Sequence, residues 1–217
     1  MILLNFKLYP ETFGDKALAL SAVAKQVMES TGVKIIPVLS ALDAVQVKEK
    51  LNIDVYLQHV DVYSSGPHTG YVSALAAKSL GIKGALINHS EHRLKLGTLK
   101  QILKSWPADF DSVLCLQSYH QLLRWAIKLK ANYYAYEPKE FIGNSKISVA
   151  SARPEQIINF VNALNPKPIL VGAGIHSKTD VSTSLKLGAY GILVSSSVIK
   201  SSDPKKELMA LASAFSV

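Results

Sequence analysis

A single cysteine, Cys115, rules out an internal disulfide and fits a reducing compartment. It lies in the apolar run Ser112–Gln117 and reads as a core filler rather than a nucleophile. No apolar stretch approaches the roughly 18 residues that a membrane span needs. Met1 leads directly into Ile2-Leu3-Leu4, with no basic leader and no small-residue cleavage site. The expectation is a cytoplasmic protein with no membrane partner. The sequence also lacks a Pro/Ser/Gly-rich linker, a charge block or a low-complexity tract, so its 217 residues are expected to form one domain, 1–217.

Acidic residues are in deficit, 16 against 24 basic ones, for a formal charge of +8. The lysines are spread along the chain, without the clustering, stacking motif or recognition helix of a nucleic-acid binder. A diffuse positive field that draws in a small anionic substrate is the milder reading, and no nucleic-acid partner is expected.

Short, continuous apolar runs recur at a regular beat: Ile2–Leu8, Val33–Leu39, Asp54–Val60, Gly84–Asn88, Ser112–Gln117, Tyr133–Glu137, Pro168–Gly172 and Gly191–Val194. Runs of this kind suit strands buried on both faces of a parallel sheet. Helical periodicity fills the intervals. Ile157, Ile158, Val161 and Leu164 share one face, as do Val72, Leu75, Ala76 and Leu80. Capping spacings open the helices at Ser40/Asp43, Ser118/Gln121 and Ser177/Asp180, and Pro154 and Pro204 sit at first-turn positions. Gly32, Gly81 and Gly188 mark helix ends. Strand, cap, helix and glycine, repeated eight times, predict an α/β fold closed as a (β/α)8 barrel. An open doubly wound sheet would carry a Gly-rich turn after its first strand, whereas Lys7–Gly14 has one glycine.

A barrel of this type opens every strand's C-terminal end on one face, where its chemistry sits. The polar residues at those ends therefore form one set. They are Asn5 and Lys7 in the first strand, Asn88-His-Ser-Glu91 after the fourth, Glu137 after the sixth, Gly172-Ala-Gly174 after the seventh and Ser195–Ser197 after the eighth. Glu137 is followed at once by Pro138, which cannot continue a central strand. Phe141, Ile142 and Gly143 then suggest a lid with a hinge. A carboxylate at a strand end beside a lid suits proton abstraction; the plainer reading is a strand-capping Glu next to a surface turn. His89 alone could be a hydrogen-bonded core residue, and Gly172–Gly174 an ordinary tight turn. Ser195–Ser197 is expected to start a short helix whose free N–H groups, beside the strand-seven turn, form a phosphate cradle.

Nearly end to end, the chain resembles the triosephosphate isomerase family, especially its short archaeal-type members. Asn5-Phe-Lys7 is similar to the family's Asn-x-Lys, Asn88–Arg93 to its His-Ser-Glu block, and Tyr136-Glu-Pro138 through Ile142-Gly143 to its catalytic Glu-Pro and lid. Gln58–Asp61 and Gly66–Gly70 match the third strand and the protruding loop after it. The resemblance implies cofactor-free interconversion of two phosphorylated three-carbon sugars in glycolysis and gluconeogenesis. Glu137 would be the base, His89 a neutral imidazole polarising the carbonyl, and Lys7 the stabiliser of enediolate charge, a division of roles known from this family itself. Asn5 would orient the substrate and Glu91 support Lys7. Ile142 and Gly143 would close over the phosphate, with Gly174, Ser195 and Ser196 offering it N–H groups. Thr69, on loop 64–70, would reach a neighbouring subunit's site near Asn5, which implies a homo-oligomer, either dimer or tetramer.

Three features depart from the family pattern. The lid's Gly-Thr-Gly reads Gly143-Asn-Ser145, the turn after the eighth strand is all serine, and the chain is short against the fold's typical ~250 residues. The shortening is expected in the fourth to sixth helices. A rival on the same barrel is a metal-dependent phosphosugar epimerase with His59, Asp61 and His89 as ligands. The non-catalytic rival is a basic nucleic-acid-binding domain.

Overall fold

The computed structural model describes residues 1–126, 128–141 and 147–215. Eight strands pair in parallel and in sequence order, and the first also pairs with the last, closing a barrel. They are β1 (Ile2–Asn5), β2 (Ile35–Leu39), β3 (Tyr56–Leu57), β4 (Gly84–Ile87), β5 (Asp111–Leu116), β6 (Tyr133–Tyr136), β7 (Ile169–Val171) and β8 (Gly191–Val194). Alternation sorts their side chains into two cores. Leu3, Ile36, Val38, Tyr56, Leu86, Val113, Cys115, Ala135, Leu170 and Leu193 fill the barrel interior. Ile2, Leu4, Ile35, Leu39, Leu57, Ile87 and Val171 face outward against the helices. Both faces are dry, which explains why the strands read as unbroken apolar runs.

The helical layer comprises α1 (Asp15–Thr31), α2 (Ala41–Leu51), α3 (Ala74–Ser79), α4 (Leu96–Lys104), α5 (Tyr119–Gln121), α6 (Val149–Ala152), α7 (Pro154–Leu164), α8 (Lys178–Lys186), α9 (Ser196–Ile199) and α10 (Pro204–Ala212). Ser40 and Ser118 cap α2 and α5 by accepting the N–H of Asp43 and Gln121. Ser177 and Asp180 form a complete reciprocal box at α8. Pro154 and Pro204 open α7 and α10, and Gly32 closes α1 in the left-handed region, its N–H donating to the Met28 carbonyl. α4, α5 and α6 have 9, 3 and 4 residues, and α5 continues into a π-helical turn, Leu122–Ala126. Among the described residues no helix is long and apolar enough to cross a membrane.

Four expectations need correction. β1 ends at Asn5, and Lys7 lies beyond it with φ 52, because a left-handed residue cannot extend a strand. β3 is two residues long rather than spanning Asp54–Val60. In α3 the buried residues are Ala74 and Ala77, while Leu75 and Leu80 are 48% and 52% exposed. The stripe through Leu75 and Leu80 therefore faces away from the barrel. In α7, Phe160 joins Ile157 and Leu164 in the core and Ile158 turns outward.

Candidate active site

Lys7 occupies a backbone conformation that costs a non-glycine residue roughly 1 kcal/mol or more. Local bonds hold it there. Its N–H donates to Asn5 Oδ1 (3.1 Å), its carbonyl accepts from Gln58 Nε2 (2.8 Å), and its Nζ donates to Glu91 Oε1 (2.7 Å). Asn5 is buried at the end of β1, and its amide orientation is set by the bond from Lys7. The ammonium is thus gripped at the barrel mouth with a carboxylate on its outer side.

The turn after β4 is set by Asn88, a residue type that tolerates the left-handed region, at φ 62. Its Nδ2 donates to the Cys115 carbonyl, its Oδ1 accepts from Leu94 N–H, and its carbonyl accepts from Arg93. So pinned, it aims His89 into the mouth. The Glu91 N–H donates to His89 Nδ1 at 3.2 Å. Nδ1 therefore carries no proton, and the ring's N–H is at Nε2. The 3.5 Å approach of Glu91 Oε2 to Nδ1 would need a proton where the backbone N–H already points, so the tautomer follows the backbone bond. Nε2 lies 3.3 Å from Glu137 Oε1 and 3.5 Å from Asn5 Nδ2. With the proton on Nε2, the carboxylate is its acceptor and the Asn5 amide is a neighbour, free to donate to a ligand.

Glu137 continues the β6 ladder by one bond, its N–H donating to the Leu116 carbonyl at 2.8 Å, before Pro138 ends the strand. The residue is 3% exposed, and Oε2 has no hydrogen-bond partner among the described residues. A buried carboxylate oxygen left unpaired is costly, and such groups persist where function uses them. Burial, and then the adjacent Glu137 carboxylate, push the Cys115 thiol well up, so Cys115 stays protonated against Glu137 and is no nucleophile. Gly172 makes room on the other side. A Cβ there would sit 2.7 Å from Glu137 Cγ and 3.2 Å from Oε1. Gly172→Ala is expected to displace the carboxylate and lower kcat about a hundredfold, the scale of an ångström-sized misplacement. The backbone at 172 suits alanine, so the melting temperature should hardly change; steady-state kinetics beside a thermal melt check both.

The remaining wall is made by the turns after β7 and β8. Gly174 takes φ +69, and a Cβ there would lie 2.5 Å from the Ile147 carbonyl, so glycine lets this turn pack on the chain after the lid. Ser195 precedes the short α9 with φ −147, so this position does not ask for the positive φ that would favour glycine. First-turn N–H groups of a helix have no carbonyl partner within it, and Ser196 and Ser197, in the first turn of α9, line the cleft. Asn5, Lys7, His89, Glu137, Gly174, Ser195 and Ser196 all line one cavity of about 530 Å³. An ammonium, an imidazole N–H and an unpaired carboxylate oxygen around one void can remove a proton from carbon beside a carbonyl and stabilise the resulting oxyanion.

A family profile described as triosephosphate isomerase matches residues 1–214. The chain belongs to the triosephosphate isomerase family. Similar relatives, all named triosephosphate isomerase, come from archaea. That of Methanothermus fervidus is 41% identical over 216 residues, 97% of this chain and 96% of its own. That of Thermoplasma volcanium is 37% identical, covering 97% and 98%, and that of Methanocaldococcus jannaschii 34%, covering 97% and 98%.

Against the family pattern, Glu91 stands 2.7 Å from Lys7, outside the main cavity and on the wall of an adjoining one. Thr69 lies on an exposed loop and lines neither cavity. Ile142 and Gly143 of the lid, with Asn144 and Ser145, lie outside the described residues. The residues on either side of that segment are tied to each other: Glu140 and Arg153 pair at 2.7 Å, and Arg153 stands over the Phe141 ring. The epimerase's ligands do not converge. His59 pairs with Asp61 at 3.4 Å while His89 turns to Glu137, and among the described residues no three His, Cys, Asp or Glu side chains are placed to hold a metal. Sequence reading passed over Gln58 as a prop for Lys7 and the contacts of Gly172 and Cys115 with Glu137. The contacts of Gly172 and Cys115 join strands adjacent to β6, where register would have pointed to them, whereas the Gln58–Lys7 bond reaches from the end of β3 past β2 to the end of β1.

Proposed function

We propose that this isomerase interconverts dihydroxyacetone phosphate and D-glyceraldehyde 3-phosphate without a cofactor, with Glu137 as base, His89 as electrophile and Lys7 as electrostatic stabiliser. Glu137 takes a proton from the carbon beside the carbonyl, and the Nε2–H of His89 hydrogen-bonds the carbonyl oxygen as it becomes an enediolate. Protonated Glu137 then returns the proton to the neighbouring carbon, while His89 shuttles a proton between the two oxygens. The observation that carries this is the 3.3 Å approach of an Nε2-protonated imidazole to a carboxylate oxygen, beside the ammonium of Lys7. Asn5 orients the substrate, Gly174, Ser195 and Ser196 receive its phosphate, and Ile142 and Gly143 close the lid that excludes water. Conversion of glyceraldehyde 3-phosphate in metal-free buffer, with turnover insensitive to chelator, tests the reading; no turnover would defeat it. The reaction belongs to glycolysis and gluconeogenesis, and the lone, reduced Cys115 supports a cytoplasmic setting.

Self-association through loop 64–70 belongs to the same proposal. The loop is closed at its base by reciprocal bonds between Asp61 and Val72 and stiffened by Tyr63 stacked on His68 and edge-on to Tyr71. It is a preformed projection rather than a floppy one. Leu8 is 72% exposed on the wall of a cavity of about 880 Å³ beside Asn5, where the loop of a second copy, carrying Thr69, would dock. Sedimentation velocity at micromolar concentration is expected to show a dimer or tetramer, and Tyr71→Glu a monomer of much lower activity. A wild type that sediments as a monomer overturns the docking scheme.

A further inference from the structure

Lys7 is gripped twice, by Gln58 at its carbonyl and by Glu91 at its ammonium. The chain neighbours of those two residues are His59 and His92. Their rings stack, with centroids 4.0 Å apart and planes inclined by 28°. The contacts therefore close a ring: Lys7 to Gln58, on to His59, across to His92, back through Glu91 to Lys7. The turn after β3 and the turn after β4 are joined here by two side chains that the reaction itself does not use. The ring forms one wall of the cavity beside Asn5.

We propose that the His59–His92 stack is a positioning pair for Lys7, which locks together the two turns that hold the lysine and comes apart when both rings are protonated. This rests on the reading of Lys7 as a substrate-binding cation. Two imidazoles can stack face to face when at most one is charged; two cations at this separation repel. The charged and titratable groups around the pair are few. Asp61, on the turn after β3, meets His59 Nε2 at 3.4 Å but already accepts the Val72 N–H through its other oxygen. Glu91, beside His92, is committed to Lys7. Lys7 and Tyr9 from the turn after β1, and His89, complete the cavity wall. Among the described residues no carboxylate is left for a second imidazolium. Burial, and then the like charge of His92, carry His59 below its ordinary value of 6.5, with Asp61 opposing. The sign follows: the folded frame prefers the neutral ring, so it is intact above the ordinary histidine range and is lost as pH falls through it.

The test measures kcat, KM and melting temperature between about pH 5 and about pH 8 for the wild type, His92→Ala, His92→Phe and Lys7→Met. At neutral pH, His92→Ala is expected to raise KM about tenfold and lower kcat/KM about fiftyfold, because a loosened Lys7 contributes less in both the ground and transition states. His92→Phe keeps a ring to stack but cannot be charged, so it should recover most of that loss. Its acid limb of log kcat/KM should also be shallower than the wild type's by about one proton. His92→Ala with unchanged constants, or His92→Phe titrating with the wild-type slope, overturns the positioning role. If Lys7→Met is meanwhile inactive, the assignment of Lys7 survives. Lys7→Met as active as the wild type removes the lysine's role and the strut together. If His92→Ala fails to fold, the slope of His92→Phe decides.

Discussion

Glu137→Ala is expected to lower kcat by about three orders of magnitude or more, within or beyond the range typical for loss of a positioned general base. Binding of a phosphate ligand without the reactive carbonyl, such as glycerol 3-phosphate, should change only a fewfold, because the proposed phosphate site at Gly174, Ser195 and Ser196 follows β7 and β8 rather than β6. The substitution carries a second signature. Glu137 is buried with Oε2 unpaired among the described residues, so removing the carboxylate removes a desolvation cost along with the chemistry. The variant should melt no lower than the wild type, apart from the small cavity left in the mouth. Rapid-mixing or coupled-assay kinetics, ligand titration and a thermal melt separate the three effects. A variant as active as the wild type would refute the assignment of the base.

Lys7→Met should lose both binding and rate, with kcat/KM down by about two to three orders of magnitude, because one cation meets the phosphorylated substrate and the developing oxyanion. The lysine side chain is 16% exposed, so its charge acts through less water than that of a surface residue. Its partner Glu91 is 54% exposed, and leaving that carboxylate unpaired should cost little stability. Methionine inherits the left-handed backbone at 52°, so the fold should tolerate the change. Added salt should erode wild-type kcat/KM and leave the residual rate of Lys7→Met nearly flat. If neither kcat nor KM moves, Lys7 is an ordinary turn residue and the electrostatic part of the mechanism fails.

Some of these residues announce their place without any tertiary information. Ser177 and Asp180 satisfy one another's backbone partners within a single turn, so the helix start they mark is a local property. The eight apolar runs are legible for a similar reason: a strand dry on both faces needs no particular phase. Lys7 was harder to place, because an apolar run does not reveal the residue at which φ changes sign. The stripe expected through Val72, Leu75, Ala76 and Leu80 is not the buried one: Leu75 and Leu80 are exposed, because the barrel is met by the small side chains of Ala74 and Ala77. Periodicity identifies a stripe and leaves open which neighbour covers it.

The amino-acid order by itself determined the repeating strand and helix units, their caps, and the presence of an acid, an imidazole and an ammonium at three strand ends. These depend on interactions within a few residues, or on a burial pattern repeated along the chain. Only the tertiary structure decided that the proton of His89 faces Glu137, that Gly172 is the space the carboxylate occupies, and that two histidines brace the turns around Lys7. Each of those depends on the pairing of strands into the barrel, which sets side by side residues from 33 to 48 positions apart.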